Sequence, residues 1–373
     1  MLIAGEASGD QRGAEVAQAL LVMQPQLTLF GIGGQHMRAA GVATMIDVNE
    51  LAVIGFFEVL KHLPRILKIF YRMKRVLQEN RPDLLILIDY PGFNLRFAKV
   101  AKRLKIPVLF YISPQVWAWR QHRVKKIAQV IDHMAVIFPF EKQFYQQQNI
   151  PVTYVGHPLT QKINRAPTMA EARKKLAFDL DNKIISLLPG SRRSEIERLL
   201  PTMLDAAEEL TKKIPGLIFL LAVATTVDSE KIKALLQNSR INIRILQNDA
   251  YATMSAADVV LTASGTATLE AALLNKPMVV LYKVNRFTAA ILKRMLKIPY
   301  VSLCNIVAGE KVVTELLQAD ATADNLVKET MLLLNDTQRQ QQIKAKLSSI
   351  KAKLGEMNAE HNVAQIAIQM LTR

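Results

Sequence analysis

Apolar residues in this chain gather in short continuous runs, each closed by a turn and followed by a stretch in which apolar positions recur every three to four residues. The runs lie at 2–4, 29–33, 84–88, 107–112, 130–138 and 152–155 in the first half, and at 183–188, 217–224, 241–246, 257–262 and 278–282 in the second. Runs without polar alternation are expected from parallel strands buried on both faces. Their alternation with helical periodicity predicts an α/β chain built from strand–helix units. Residues 300–310 read as a loop, and the polar stretch after 335 as helical.

The turns that end these strands carry the candidate chemistry. After 183–188 come Pro189, Gly190, Ser191 and Arg192, and then Ser194, Glu195 and Glu197 open a helix. At the carboxyl end of a parallel strand, such a loop can wrap a phosphate. Gly190 permits close backbone approach, the helix offers free N–H groups, and Arg192 supplies a planar fork of donors. A solvated arginine in a turn explains the loop equally well. Ser264, Gly265 and Thr266 form a second such turn ahead of a helix carrying Glu270, which is placed to meet a ribose diol or simply to face water. Gly5, Glu6, Ser8, Gly9 and Asp10 make a third. Asp89 leaves an apolar strand just before Pro91-Gly92, where it serves either as a proton acceptor or as a cap for the next turn. Gly31, Gly33 and Gly34 read as a tight turn, and Asp179-Leu180-Asp181 as a solvated turn rather than a metal motif.

Between residues 50 and 78 the pattern changes. Val53, Ile54, Phe56, Phe57, Val59, Leu60 and Leu63 are apolar, and Arg65, Lys68, Arg72 and Arg75 fall on one stripe of the helix that follows. An apolar face with a cationic edge suits a lipid surface. A core helix with a solvated basic side suits the same pattern.

With 373 residues, two domains are expected: 1–160, a linker near 159–169, and 170–335, with 336–373 packing across them or onto a partner chain. No apolar run reaches the ~18–20 residues of a membrane span. The start lacks the basic segment of a signal peptide, which favours a cytoplasmic protein, and the brevity of the first strand suggests that a few residues precede it. Lys plus Arg exceed Asp plus Glu by 48 − 32 = 16, favouring an anionic partner. Nucleic acid is the weakest candidate, since there is neither a basic tail nor an aromatic-rich reader. A single cysteine, Cys304, excludes an internal disulfide, and the scattered histidines show no metal spacing.

Taken in order, Gly5-Glu6-x-Ser8-Gly9-Asp10, Ile88-Asp89, Ser113-Pro114-x-Val116-Trp117-Ala118-Trp119-Arg120, Phe140-Glu141-Lys142, Gly156-His157, Leu188-Pro189-Gly190-Ser191-Arg192 and Ser264-Gly265-Thr266-Ala267-x-Leu269-Glu270 resemble the lipid A disaccharide synthase family nearly end to end. The resemblance implies a GT-B fold, with two Rossmann-like domains facing a central cleft. It also implies an inverting, metal-free and cofactor-free transfer from UDP-2,3-diacylglucosamine to 2,3-diacylglucosamine 1-phosphate. By the same likeness, Asp89 is the general base. Gly190, Ser191, Arg192, Ser264, Gly265, Thr266, Glu270 and Asn305 hold the donor, and Ser8, Gly9, Asp10 and Trp117 shape the acceptor side. Val53, Ile54, Phe56, Phe57, Leu60, Leu63, Arg65, Lys68 and Arg72 meet acyl chains and the anionic lipids of the inner membrane, giving a peripheral enzyme for which a homodimer stays open. Cys304 departs from the family, which usually has proline before the asparagine, and this bears on the pose of Asn305. Two rivals remain: another GT-B enzyme acting on a UDP-N-acetylhexosamine, either an epimerase or a polyprenyl-linked transferase, and a non-enzymatic protein that binds anionic membranes.

Overall fold

The computed structural model describes residues 1–51, 56–119, 121–223, 232, 236, 241–285, 288–289, 294–295 and 298–372, with only the backbone for 56–62. The chain forms two compact units. One comprises Met1–Pro158 with Glu356–Arg373, the other Leu159–Gly355.

The first unit contains β1 (Leu2–Ala4), β2 (Phe30–Gly33), β3 (Ala43–Asp47), β4 (Leu85–Ile88), β5 (Val108–Tyr111), β6 (His133–Val136) and β7 (Val152–Tyr154). They form one sheet in the order β3-β2-β1-β4-β5-β6-β7, with every pairing parallel. Both faces are covered, as the unbroken apolar runs require. Leu85 and Leu87 of β4 belong to one core with Phe93, Phe97 and Phe110. Ile86 and Ile88 belong to the other, with Val16, Leu20, Val363 and Ala367. Each such side chain taken from water contributes roughly 1.5–3 kcal/mol.

The segment 336–373 is divided between the units. Helix Thr337–Leu354 lies in the second, burying Ile343, Leu347 and Ile350, whereas helix Ala359–Leu371 returns to the first and packs on helix Ala7–Met23. There Arg12 pairs with Glu360 at 3.0 Å, and the Tyr111 hydroxyl donates to the same carboxylate at 3.3 Å.

The second unit holds β8 (Ile184–Leu188), β9 (Ile218–Val223), β10 (Ile243–Gln247), β11 (Val259–Ala263), β12 (Met278–Tyr282) and β13 (Thr314–Leu317). The order is β10-β9-β8-β11-β12-β13, again wholly parallel. Buried Arg173 clamps the two central strands at their entry. It donates to the Ala256 carbonyl at 2.9 Å and pairs with Asp258 at 3.1 Å, while the Asp258 carboxylate accepts from the Ile184 N–H.

In both sheets the strand order reverses direction beside the first strand, between β1 and β4 and between β8 and β11. At such a switch point neighbouring loops diverge and leave a crevice at the carboxyl ends of the strands. The loops 5–10, 190–192 and 264–266 and Asp89 stand at these two points, whereas Gly31, Gly33 and Gly34 lie in β2 or just after it. Three elements differ from expectation: β3 and β13 are edge strands where none was foreseen, and Leu303–Ala308 is a helix where a loop was expected.

Candidate functional site

The crevice of the second unit is a cavity of about 540 Å³. It gathers Gly190, Ser191 and Arg192 from the loop after β8, and Ser264, Gly265, Thr266 and Glu270 from the loop and helix after β11. Gly190 adopts φ +116°, and a Cβ there would meet the Glu195 carboxylate oxygen at 2.4 Å, so only glycine fits the turn. Arg192 is 72% exposed at its side chain and stands 3.5 Å from Glu195. Across the cavity, Gly265 is the N-cap of helix Thr266–Leu273 and, having no side chain, makes no side-chain cap hydrogen bond. The exposed arginine and this helix end give the crevice a positive rim suited to an anion.

Glu270 sits one turn into that helix. Burial raises its pKa, while a 2.9 Å hydrogen bond from the Tyr251 hydroxyl and the charge of Lys162 act in the opposite direction. Tyr251 also lines the cavity and carries no sequence signal: it is a lone aromatic in a short helix, Ala250–Ala256.

Asn305, expected among the donor contacts, is fully buried and does not line the cavity. Its Oδ1 accepts from the N–H groups of Val312 and Val313, and its Nδ2 donates to the Val313 carbonyl and to Glu315. With its hydrogen-bonding capacity spent, the side chain is a brace. Glu315 also accepts from the Val301 and Ser302 N–H groups, and the Val301 carbonyl receives the Ser264 hydroxyl at 2.9 Å. Among the described residues, Asn305 is thus linked to the cavity through Glu315, Val301 and Ser264. Cys304 beside it is buried, its thiol pushed up to about 12 and held in the unreactive protonated form.

The switch point of the first unit is built differently. Asp89 and Tyr90 both take φ +47°, a left-handed conformation that costs a non-glycine residue energy and recurs where function needs it. Asn94 holds the Asp89 carbonyl at 2.7 Å, and the Asp89 N–H donates to Tyr111. Gly5 makes room for the neighbouring ring, since a Cβ there would fall 2.1 Å from Tyr90 Cγ. The Asp89 carboxyl is pushed up to about 6, chiefly by burial and next by the negative charge of Glu6, against a backbone hydrogen bond that lowers it. Ser8 donates to Glu6 at 2.9 Å. Gly9 is buried at the start of helix Ala7–Met23, close against Ala4.

Two residues expected on the acceptor side, Asp10 and Trp117, are buried. Asp10 is 3% exposed and accepts from the N–H groups of Gly34, His36 and Met37, so it caps the turn after β2. Trp117 is 6% exposed, its indole N–H donating to Glu141, which also accepts from the Ser113 hydroxyl and the Phe138 N–H. Burial lifts Glu141 to about 7. Trp119 is the ring of this loop that stays exposed.

On helix Phe56–Asn80, Ile69, Met73 and Leu77 enter the core, while Leu63, Arg65, Leu67, Lys68, Tyr71, Arg72 and Arg75 are exposed. Val53 and Ile54, and the side chains of Phe56, Phe57 and Leu60, lie outside the described residues. Among the described residues, no helix is long and apolar enough to cross a membrane.

The chain matches the family model for lipid-A-disaccharide synthetase over residues 1–370. It is 44% identical over 371 residues to the lipid-A-disaccharide synthase of Geobacter metallireducens, covering 100% of this chain and 97% of that protein. The enzyme of the same name from Nitrosococcus oceani is 45% identical over 370 residues, covering 99% and 95%. Among solved structures, a Staphylococcus aureus MnaA–UDP complex is similar with a TM-score of 0.66 at 13% identity, covering 100% of this chain and 97% of that one. A Neisseria meningitidis UDP-GlcNAc 2-epimerase bound to UDP-GlcNAc gives 0.61 at 17%, covering 97% of each. At these identities the structural matches establish the fold, GT-B with two Rossmann-like domains.

Proposed function

The chain belongs to the lipid-A-disaccharide synthetase family of glycosyltransferases, and from that premise we propose how its residues divide the work. The donor is UDP-2,3-diacylglucosamine and the acceptor 2,3-diacylglucosamine 1-phosphate. The products are the β-1′,6-linked disaccharide 1-phosphate and UDP. The observation that carries the reading is the convergence of two glycine loops and a helix with a glycine N-cap on one cavity at a switch point.

In this reading the cavity takes UDP. Backbone N–H groups at 190–192 and 264–266 receive the diphosphate, Arg192 neutralises it, and Glu270 accepts from the ribose. Asp89 removes the proton from the acceptor 6-hydroxyl as that oxygen attacks the anomeric carbon. The bond to UDP breaks on the opposite face, which inverts the α-linked donor to a β product. Charge then collects on the departing diphosphate, where fixed donors are most effective. A carboxylate raised to about 6 is well matched to this task, mostly ionised at neutral pH yet more basic than a free one. The exposed stripe Leu63, Arg65, Lys68 and Arg72 is our candidate for contact with acyl chains and anionic headgroups, which makes the enzyme peripheral to the inner membrane.

The test is UDP formation from UDP-diacylglucosamine with and without diacylglucosamine 1-phosphate. Acceptor-dependent UDP release with a disaccharide product is expected. UDP-sugar isomerisation without acceptor, or liposome binding with no turnover, would replace this reading with one of its rivals.

A further inference from the structure

We infer that Tyr251 is a positioning residue for the donor nucleotide, its hydroxyl holding one oxygen of Glu270 so that the other is presented to the ribose hydroxyls. The inference rests on the reading that the cavity takes UDP. Tyr251 and Glu270 come from different helices, Ala250–Ala256 and Thr266–Leu273, and both face the same cavity. The hydroxyl donates to Glu270 Oε1 at 2.9 Å. A carboxylate tethered at one oxygen keeps the second as an acceptor with a fixed direction, whereas an untethered glutamate rotates among several rotamers.

The backbone supports the tyrosine. Asp249 caps its helix, accepting from the Ala252 N–H at 3.2 Å, and the Thr253 hydroxyl donates to the Asp249 carbonyl at 2.6 Å. Tyr251 is therefore fixed at the first turn of a helix whose start is anchored twice. Burial favours the neutral acid at Glu270, and the tyrosine hydrogen bond favours the carboxylate. Removing the hydroxyl would loosen the side chain and let it take up a proton at higher pH. A neutral acid accepts poorly from a diol.

Tyr251→Phe removes one oxygen and keeps the ring, so the fold can be checked by thermal melting. Calorimetric titration with UDP and with 2′,3′-dideoxy-UDP isolates the ribose contribution. The wild type should prefer UDP by about tenfold or more, the worth of hydrogen bonds to a charged acceptor. In Tyr251→Phe, as in Glu270→Gln, that preference should shrink to about twofold or less, with dideoxy-UDP binding unchanged. Acidification should erode the remaining preference of Tyr251→Phe at higher pH than in the wild type, an effect that mere loss of packing would not produce. A variant that keeps the full preference across the pH range overturns the inference. Arg192→Ala separates the two levels of the argument. If it weakens both nucleotides alike, the cavity reading stands whatever Tyr251 does, and if it weakens neither, the cavity reading fails.

Discussion

The two sheets share a topology, yet they furnish their switch points in opposite ways. In the second unit the loops after β8 and β11 are small and open: glycines at 190 and 265, an exposed arginine, and a helix whose glycine N-cap makes no side-chain hydrogen bond. In the first unit the loops after β1, β4 and β5 are filled. The Tyr90 ring lies over Gly5, Asp10 caps the turn after β2, and Trp117 and Ser113 close on Glu141. Gripping a diphosphate takes unobstructed N–H groups and empty volume. A proton-accepting carboxylate, the role proposed for Asp89, has other needs: it must be partly dried and rigidly aimed, and burial does raise the Asp89 carboxyl.

Substitutions can break this division at either end. The largest effect is expected from Asp89→Asn, which should lower turnover by about 10²–10⁴-fold while leaving the calorimetric affinity for UDP intact. Turnover close to the wild type would end the base assignment. Next comes Arg192→Ala, which should weaken UDP binding by roughly 10- to 100-fold through loss of a charge-assisted contact. Gly190→Ala should cost about 1–3 kcal/mol in denaturant unfolding, because the left-handed turn and the Glu195 carboxylate both exclude a Cβ. The smallest effect sharpens the first-unit side. If Asp89 must be ionised, kcat/KM should fall as pH drops through about 6, and Glu6→Gln, by removing a neighbouring negative charge, should move that limb to lower pH. A limb that stays in place would remove Glu6 from the account.

The sequence made the central strands legible because burial on both faces leaves an unbroken apolar run. It hid β3 and β13, whose residues Ala43–Asp47 and Thr314–Leu317 mix polar with apolar types and so make no unbroken apolar run, although the edge strands β7 and β10 were still legible. Helix Leu303–Ala308 was missed although Ser302 caps it, because its polar and apolar residues mimic a loop. The loops at 190–192 and 264–266 could be read as neighbours of one cavity, since a glycine turn after a buried parallel strand is visible in the sequence. The surroundings of Asp10, Asn305 and Trp117 were not legible, because each spends its polar atoms on partners a loop or more away: Asp10 on 34–37, Asn305 on 312–315, Trp117 on Glu141. Residue type was visible there and direction was not. Tyr251 shows the converse: it lines the cavity and bonds Glu270 on another helix, and its sequence neighbourhood signals neither.

The most direct test of the division between the units is a crystal structure of the enzyme with UDP. The diphosphate is predicted to lie on the N–H groups of 190–192 and 264–266, with the ribose against Glu270. A nucleotide seated instead on the loop of Glu6 and Asp89 would contradict the account.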